Sequence, residues 1–223
     1  MRSATPAMAS SAYADFLPAI AAINVDNLRV DVARSREEVE AAQGLVHRRY
    51  RWRGYETSEL ANPSPAADAP AAASREVTIV AAGEGGMIGT CTLGFDGPGG
   101  LRADASCGDV IRAARAAGRR VGEITRLAID SADSKAVLAS LFNLAFVAGK
   151  AIDDVTDVYV EVNPRHVLFY TRVLGFSVAG DEKICERVGA PSVLLHVEMD
   201  ALAGRLEALS QRLLADARYE RAA

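Results

Sequence analysis

The sequence predicts an α/β fold in which helices flank a mixed β-sheet. Two short segments, residues 28–33 and 157–163, alternate apolar and polar residues with the two-residue period of strands. Longer segments with apolar residues at helical spacing lie between the strands. The resulting order, β-α-ββ-α-β-α-β-α-ββ-α, starts with adjacent strands and continues with crossover helices, which favours both antiparallel and parallel pairing.

Local signals set the predicted ends of the elements. Ser35 and Glu38 form a capping box, and Asn163 before Pro164 is a strong helix start. The glycine-rich segment 83–86 predicts a hairpin turn. The predicted strands span residues 28–33, 76–82, 87–95, 121–129, 157–163, 176–180 and 191–199. The predicted helices span residues 35–53, 104–118, 135–150, 164–175 and 201–221.

The chain of 223 residues predicts a single domain at residues 28–199. Residues 1–27 are expected to form a flexible leader with a short helical stretch, and residues 200–223 an amphipathic C-terminal helix. Segment 62–74 is rich in Ala and Pro, so we expect a mobile loop inside the domain.

Composition excludes several classes of function. The net charge is −4 and the sequence pI is about 5.5, so no overall basic field attracts nucleic acid or anionic lipid. No apolar stretch is long enough to span a membrane. The three cysteines lack CxxC or Cys/His spacing, which argues against a disulfide framework and a metal site and favours the reducing cytoplasm.

Three stretches of the sequence form a recognisable set. The first combines residues 46–50 with residues 53–55, and the second is Glu-Ile-Thr-Arg-Leu at residues 123–127. The third runs from residue 162 to residue 176 and contains the pattern N-x(6)-Y-x(4)-GF. Together they resemble the GNAT acyltransferase superfamily, and within it the N-acyl amino acid synthases that use acyl carrier protein, which are relatives of acyl-homoserine-lactone synthases. The likeness extends through residues 185–195 and covers roughly residues 28–199.

This resemblance implies a GNAT-like central sheet that is splayed between strands 121–129 and 157–163. Main-chain groups near Leu127 and Ile129 would hold the pantetheine arm of an acyl thioester and donate to the oxyanion. CoA-dependent relatives carry a glycine-rich pyrophosphate loop after this strand. Here residues 131–134 contain no glycine, and Asp133 would repel a diphosphate. The implied donor is therefore the acyl-phosphopantetheine of acyl carrier protein, with CoA less favoured and no tightly bound cofactor.

Acyl transfer to an amine needs a base, and Glu123 is the candidate. Arg126 could bind a substrate carboxylate or pair with Glu123. A spacing of three puts these residues on opposite faces of a regular strand, so they share a face only if a bulge intervenes. The alternative is an ion pair that only fixes the sheet.

The segment at residues 47–53 is dense in arginine and aromatic residues. Arg49 and Arg53 are expected to recognise an acidic carrier protein or an amino acid carboxylate, and the alternative is a solvated helix end. The aromatic residues nearby are expected to wall the acceptor pocket; they are Tyr50, Trp52 and Tyr55.

His166 and Tyr170 lie one turn apart on a predicted helical face. By resemblance, Tyr170 protonates the departing sulfur, and its alternative is a buried structural tyrosine. Asn163 is expected to cap this helix and to touch ligand, whereas His166 packs against or contacts substrate.

The reaction implied is transfer of a long-chain fatty acyl group to the α-amine of an amino acid. Small and apolar residues of helix 135–150, represented by Leu141, Ala145 and Ala148, are expected to line the acyl cleft. One alternative is a CoA-dependent N-acetyltransferase. Another is a non-catalytic GNAT-like interaction domain, for which the central cleft would be closed and the C-terminal helix would be the contact.

Overall fold

The computed structural model describes residues 28–55 and 75–222. The predicted leader and the predicted loop at residues 62–74 lie outside the described residues. The strands are β1 (Arg29–Val32), β2 (Arg75–Gly83), β3 (Gly86–Phe95), β4 (Val121–Ile129), β5 (Asp157–Val162), β6 (Ser177–Val178), β7 (Lys183–Cys185) and β8 (Ala190–Glu198). The helices are α1 (Arg36–Trp52), α2 (Asp104–Ala116), α3 (Ser134–Asp153), α4 (Pro164–Phe169) and α5 (Met199–Ala222).

Most strands form one sheet in the order β1-β2-β3-β4-β5-β8-β6, with β7 paired to β8. Its pairs are antiparallel except for β4 and β5, which are parallel. The mixed, helix-flanked sheet predicted from the element order is therefore confirmed.

Helices cover both faces of the sheet. On one face, α3 and α5 enclose the main core, which includes Ile124 of β4 and Val158 of β5. On the other face, α2 covers a smaller cluster that contains Val121 of β4 and Tyr159 of β5. Each strand contributes to both clusters because successive side chains of a strand point to opposite faces. Helix α3 is long and apolar enough to cross a membrane by length and composition, but 67% of its apolar window is buried, as is typical of a core helix.

The sheet opens between β4 and β5. The two strands pair only from Val121 opposite Asp157 to Glu123 opposite Tyr159, although β4 continues to Ile129. Beyond that point β4 stays paired with β3, and β5 stays paired with β8. Because sheets twist, strands that each follow their outer neighbour diverge, and the result is the predicted splay. We call this opening the β4–β5 gap.

A bulge lies in β4 directly beside the gap. Thr125 pairs with Thr92, and Ala128 pairs with Thr90. Two residues of β4, Arg126 and Leu127, therefore lie opposite the single residue Cys91 of β3. The first of these, Arg126, has a φ of 51°, which is uncommon for a residue with a side chain. This bulge turns the strand so that Arg126 projects on the same face as Glu123.

Three local predictions differ from the structure. The helix predicted at residues 164–175 changes after α4 into a π-helical turn, Tyr170–Leu174, which ends at Gly175 with a φ of 78°. The strand predicted at residues 176–180 is reduced to β6, and β7 was not predicted. Strands β6 and β7 are short and pair only with β8, so tertiary contacts rather than local periodicity define them.

Candidate active site

The β4–β5 gap opens into a cavity of about 590 Å³. Its wall combines residues of β4, β5 and β8 with the end of α1, the start of α3 and the helical segment that follows β5. The open cavity is the opposite of the closed cleft expected for a non-catalytic domain. Most of the site residues predicted from the sequence line it: Arg49, Tyr50, Arg53, Tyr55, Glu123, Arg126, Leu127, Ile129, Asn163, His166 and Tyr170.

Glu123 lies at the inner end of the cavity, where β4 and β5 begin to separate. Its side chain is 1% exposed, and its Oε2 accepts a hydrogen bond of 3.2 Å from the amide of Ala103, which precedes α2. Its Oε1 has no hydrogen-bond partner among the described residues. Burial raises the pKa of Glu123 to about 7, against the opposing effects of the Ala103 amide and the Arg187 charge. A carboxyl group with this pKa can take up and release a proton near neutral pH.

Arg126 does not pair with Glu123. Its Nη1 donates to Glu76 Oε2 at 3.0 Å, and the other oxygen of Glu76 accepts from Arg102 Nε at 3.0 Å. Burial would raise the pKa of Glu76, but the two guanidinium groups outweigh it and hold that pKa below its ordinary value. The expected pairing of Arg126 with Glu123 is therefore wrong, because a different carboxylate, Glu76 of β2, takes that place. Arg126 also lines the cavity, and its binding of a substrate carboxylate stays a prediction.

Tyr170 approaches the cavity from the opposite face of the sheet. Its ring packs edge-on against Phe142 and Phe176, within the core below α3, and the side chain also lines the cavity. Burial raises the pKa of its hydroxyl above the ordinary value, so Tyr170 stays protonated at neutral pH. A neutral phenol is a hydrogen-bond donor, as a leaving thiolate requires.

The basic end of α1 forms one rim of the cavity. The guanidinium carbon Cζ of Arg49 lies 4.7 Å from the ring centroid of Trp52, and that of Arg53 lies 4.5 Å from it. Arg49 also donates to Asp130 at 3.2 Å. Tyr50 and Tyr55 pack edge to face and line the cavity, and their place in an acceptor pocket stays a prediction. Trp52 does not line the cavity: it is 65% exposed, because its position on α1 faces solvent.

The start of α4 forms the facing rim. Asn163 Oδ1 accepts from the amide of Arg165 at 3.3 Å, which confirms the predicted cap, and its amide donates to the carbonyl of Pro191. Arg165 donates to the hydroxyl of Tyr55 at 2.5 Å and so links this rim to α1. Burial, followed by the charges of Arg165 and Arg53, lowers the pKa of His166, so its ring is neutral at neutral pH.

The predicted acyl lining on α3 is wrong. Leu141, Ala145 and Ala148 are 0–2% exposed and belong to the packed core. Only the first turns of α3 reach the cavity, through Ser134, Lys135 and Leu138. The error arises because an apolar helix shows which residues are buried but not whether they meet a cleft or a sheet.

A comparison with known families identifies the chain. The model of the family described as N-acyl amino acid synthase FeeM matches residues 41–198, a span that contains the whole β4–β5 gap. The chain belongs to the FeeM family of N-acyl amino acid synthases. It is an N-acyltransferase with a GNAT fold, as the sequence resemblance implied. No curated protein matches it.

Solved structures share this fold. FeeM from uncultured soil microbes is 22% identical over 80% of this chain and 94% of its own, with a TM-score of 0.70. An N-acetyltransferase from Staphylococcus aureus Mu50 is 11% identical over 77% of this chain and 97% of its own, with a TM-score of 0.50. At these identities the likeness concerns the fold and leaves the donor and acceptor open.

In this N-acyl amino acid synthase, the sequence missed a second carboxylate in the cavity. Glu161 of β5 forms an ion pair with Arg187, and its Oε1 accepts a hydrogen bond of 2.7 Å from the hydroxyl of Ser106. Arg187 also donates to the carbonyl of Arg102 at 3.0 Å, near the hydrogen bond that reaches Glu123. A signal was present: β5 is otherwise almost fully buried, and a glutamate in such a strand requires a partner.

Proposed function

We propose that the protein transfers a long-chain acyl group from acyl carrier protein to the α-amine of an amino acid, forming an N-acyl amino acid. The observation that carries the proposal is the β4–β5 gap, which leads into one cavity with the buried carboxylate of Glu123 at its inner end. An acyl thioester and an amine can meet there with a base in reach.

The proposed chemistry makes Glu123 the base and Tyr170 the acid. Glu123 takes a proton from the ammonium group of the acceptor, and the free amine attacks the thioester carbonyl carbon. The C–N bond forms, the tetrahedral intermediate collapses and the C–S bond breaks. Tyr170 gives its proton to the departing sulfur and recovers one from the nitrogen. The products are the amide, the thiol and one proton held by Glu123.

The proposed donor is an acyl-phosphopantetheine rather than acyl-CoA. Its amide-bearing arm would pair with the edge of β4 beyond Glu123, where Leu127 and Ile129 line the cavity. Its single phosphodiester would lie beside Lys135 at the N-terminus of α3, which favours an anion. The glycine-free turn at residues 131–134 lacks the cradle that a diphosphate uses.

Charge supports anionic ligands on both sides of the reaction. The cavity wall contains more cations than carboxylates, namely Arg49, Arg53, Arg126, Lys135, Arg165 and Arg187 against Glu123 and Glu161. The rim near α1 adds the exposed Trp52, with the guanidinium groups of Arg49 and Arg53 close to its ring, and this basic surface suits an acidic carrier protein. The acceptor carboxylate would bind among the same cations, with Asn163 and His166 beside it.

Because acyl carrier protein works in the cytoplasm, the proposal includes that location.

The test is a set of parallel incubations of the enzyme with an amino acid mixture and one donor, namely long-chain acyl carrier protein, the matching acyl-CoA or acetyl-CoA, followed by mass spectrometry. We expect N-acyl amino acids from the carrier protein and at least tenfold less product from CoA. Equal or greater turnover with CoA would replace the proposed donor. Exclusive use of acetyl-CoA would favour the N-acetyltransferase alternative.

A further inference from the structure

A second, smaller cavity of about 170 Å³ lies on the α2 face of the sheet, behind Glu123. It is bounded by Arg75, Glu76 and Arg102, by Gly94 and Phe95 of β3 and by residues 99–101. Its outer end includes the exposed residues Arg75 and Gly99, so it opens on a different side from the substrate cavity. Among the described residues, Glu123 and Thr125 line both cavities.

These two residues carry the buried polar atoms without a hydrogen-bond partner among the described residues, Glu123 Oε1 and Thr125 Oγ1. They project on the same face of β4, because they are two residues apart on one strand. Buried polar groups in native proteins are nearly always satisfied, commonly by ordered water. A cavity of 170 Å³ has room for about five waters at ~30 Å³ each.

The proposed reaction creates a need for such water. Each turnover consumes an ammonium group and leaves one surplus proton on Glu123. On the proposed function, the acyl chain and the pantetheine arm occupy the substrate cavity during a turnover, so a route on the other side of Glu123 would let the proton leave before the product does. The carboxylate must lose the proton before it can act as a base again.

We propose that the smaller cavity is a water-filled exit for the proton that Glu123 takes from the acceptor, and that Thr125 positions the first water beside the carboxylate. This inference rests on the proposed function. Water in the cavity accepts the proton from Glu123 Oε1 and delivers it to solvent past the ion pairs of Glu76. No bond other than O–H bonds is made or broken along this route.

Gly94 provides the test. A Cβ added there would lie 3.7 Å from the carbonyl oxygen of Glu123, an ordinary contact, so Gly94→Val is expected to fold and to obstruct the small cavity. Gly94→Ala is the smaller second variant. Gly85→Val is the matched control, because a Cβ at Gly85 meets nothing within 4 Å and Gly85 lines neither cavity.

The experiment is a single turnover of full-length enzyme preloaded with acyl carrier protein, with amide formation followed by rapid quench and proton release by an indicator dye. In the wild type and in Gly85→Val, we expect proton release to accompany amide formation. In Gly94→Val, we expect amide formation within twofold of wild type and proton release at least fivefold slower, delayed until product leaves. Equal proton release in Gly94→Val and wild type would overturn the exit route alone. A wild type that forms no amide would overturn the proposed function, and the exit route with it.

Thr125 is tested by Thr125→Val, which removes the hydroxyl and keeps the shape, and by Thr125→Ser, which restores the hydroxyl. We expect Thr125→Val to delay proton release relative to amide formation with unchanged KM, and Thr125→Ser to recover the wild-type timing. A structural role alone would alter unfolding without separating the two signals. Coincident release in Thr125→Val would overturn the positioning role.

Discussion

Glu123 of β4 and Tyr159 of β5 form the last residue pair before the two strands separate. The carboxylate of Glu123 therefore lies where a sheet becomes a cavity, with α2 above it and substrate space beyond it. Tyr170 reaches the same cavity from the core below α3, so the proposed base and the proposed acid act from opposite faces of the sheet.

Replacing Glu123 by Gln should remove the base and keep the shape of the site. We expect kcat to fall by roughly 10²–10⁴-fold, the range for general acid–base catalysis, while the enzyme still binds acyl carrier protein. Steady-state kinetics and binding measurements check this. Glu84→Gln, in the β2–β3 turn, is the control for the loss of one carboxylate. Full activity of Glu123→Gln would exclude Glu123 as the base.

The same carboxyl group should make stability depend on pH. Burial raises the pKa of Glu123 to about 7 from an ordinary value of 4.5, so the folded protein keeps a proton that the unfolded chain loses. The contribution of this group to the free energy of unfolding is complete below about pH 4.5 and declines as the pH rises to 7. We expect the unfolding temperature of Glu123→Gln to rise relative to wild type across this window. A constant difference in unfolding temperature from pH 4.5 to pH 8 would contradict this pKa.

Tyr170→Phe should separate acid catalysis from packing. The ring would remain among Phe142 and Phe176, so we expect little change in the free energy of unfolding. Loss of the hydroxyl should lower kcat roughly 10²-fold with KM nearly unchanged. A donor with a better leaving thiol should restore part of the rate, because it needs less protonation. An unchanged kcat would leave Tyr170 with a structural role only.

Arg126 should contribute to stability through Glu76. Arg126→Met leaves the nearly buried carboxylate of Glu76 with one fewer cation, and we expect a loss of about 1–3 kcal/mol in the free energy of unfolding. Denaturant unfolding of this variant, of Glu76→Gln and of the double variant measures the coupling. An unchanged stability together with a large rise in KM for the amino acid would instead identify Arg126 as the carboxylate ligand.

Charge reversal on the α1 rim should weaken carrier-protein binding. We expect Arg53→Glu to raise KM for acyl carrier protein about tenfold at low salt, and less at high salt because ions screen the interaction. KM for a short acyl-pantetheine should stay unchanged. Arg112→Glu reverses an exposed cation on α2, outside the cavity lining, and is the matched control. Equal effects of the two substitutions would show a response to net charge alone.

The sequence by itself determined most elements and their faces. Two-residue alternation predicted β1 and β5, the Ser35 and Asn163 caps predicted two helix starts, and the Gly83–Gly86 turn predicted the connection of β2 to β3. These features depend on neighbours within a few residues along the chain, so local patterns are sufficient to predict them. The three stretches that resemble the family also indicated which residues would share one site. Their roles stay predictions until the variants are measured.

Only the tertiary structure decided the partners across the site. Arg126 forms an ion pair with Glu76, 50 residues away in sequence, instead of with Glu123. Glu161 forms an ion pair with Arg187 near the proposed base. The short β7, the π-helical turn at Tyr170 and the smaller cavity behind Thr125 likewise arise where separate elements pack together. Ion pairing and cavity shape depend on distances between strands and helices far apart in sequence, which periodicity does not encode.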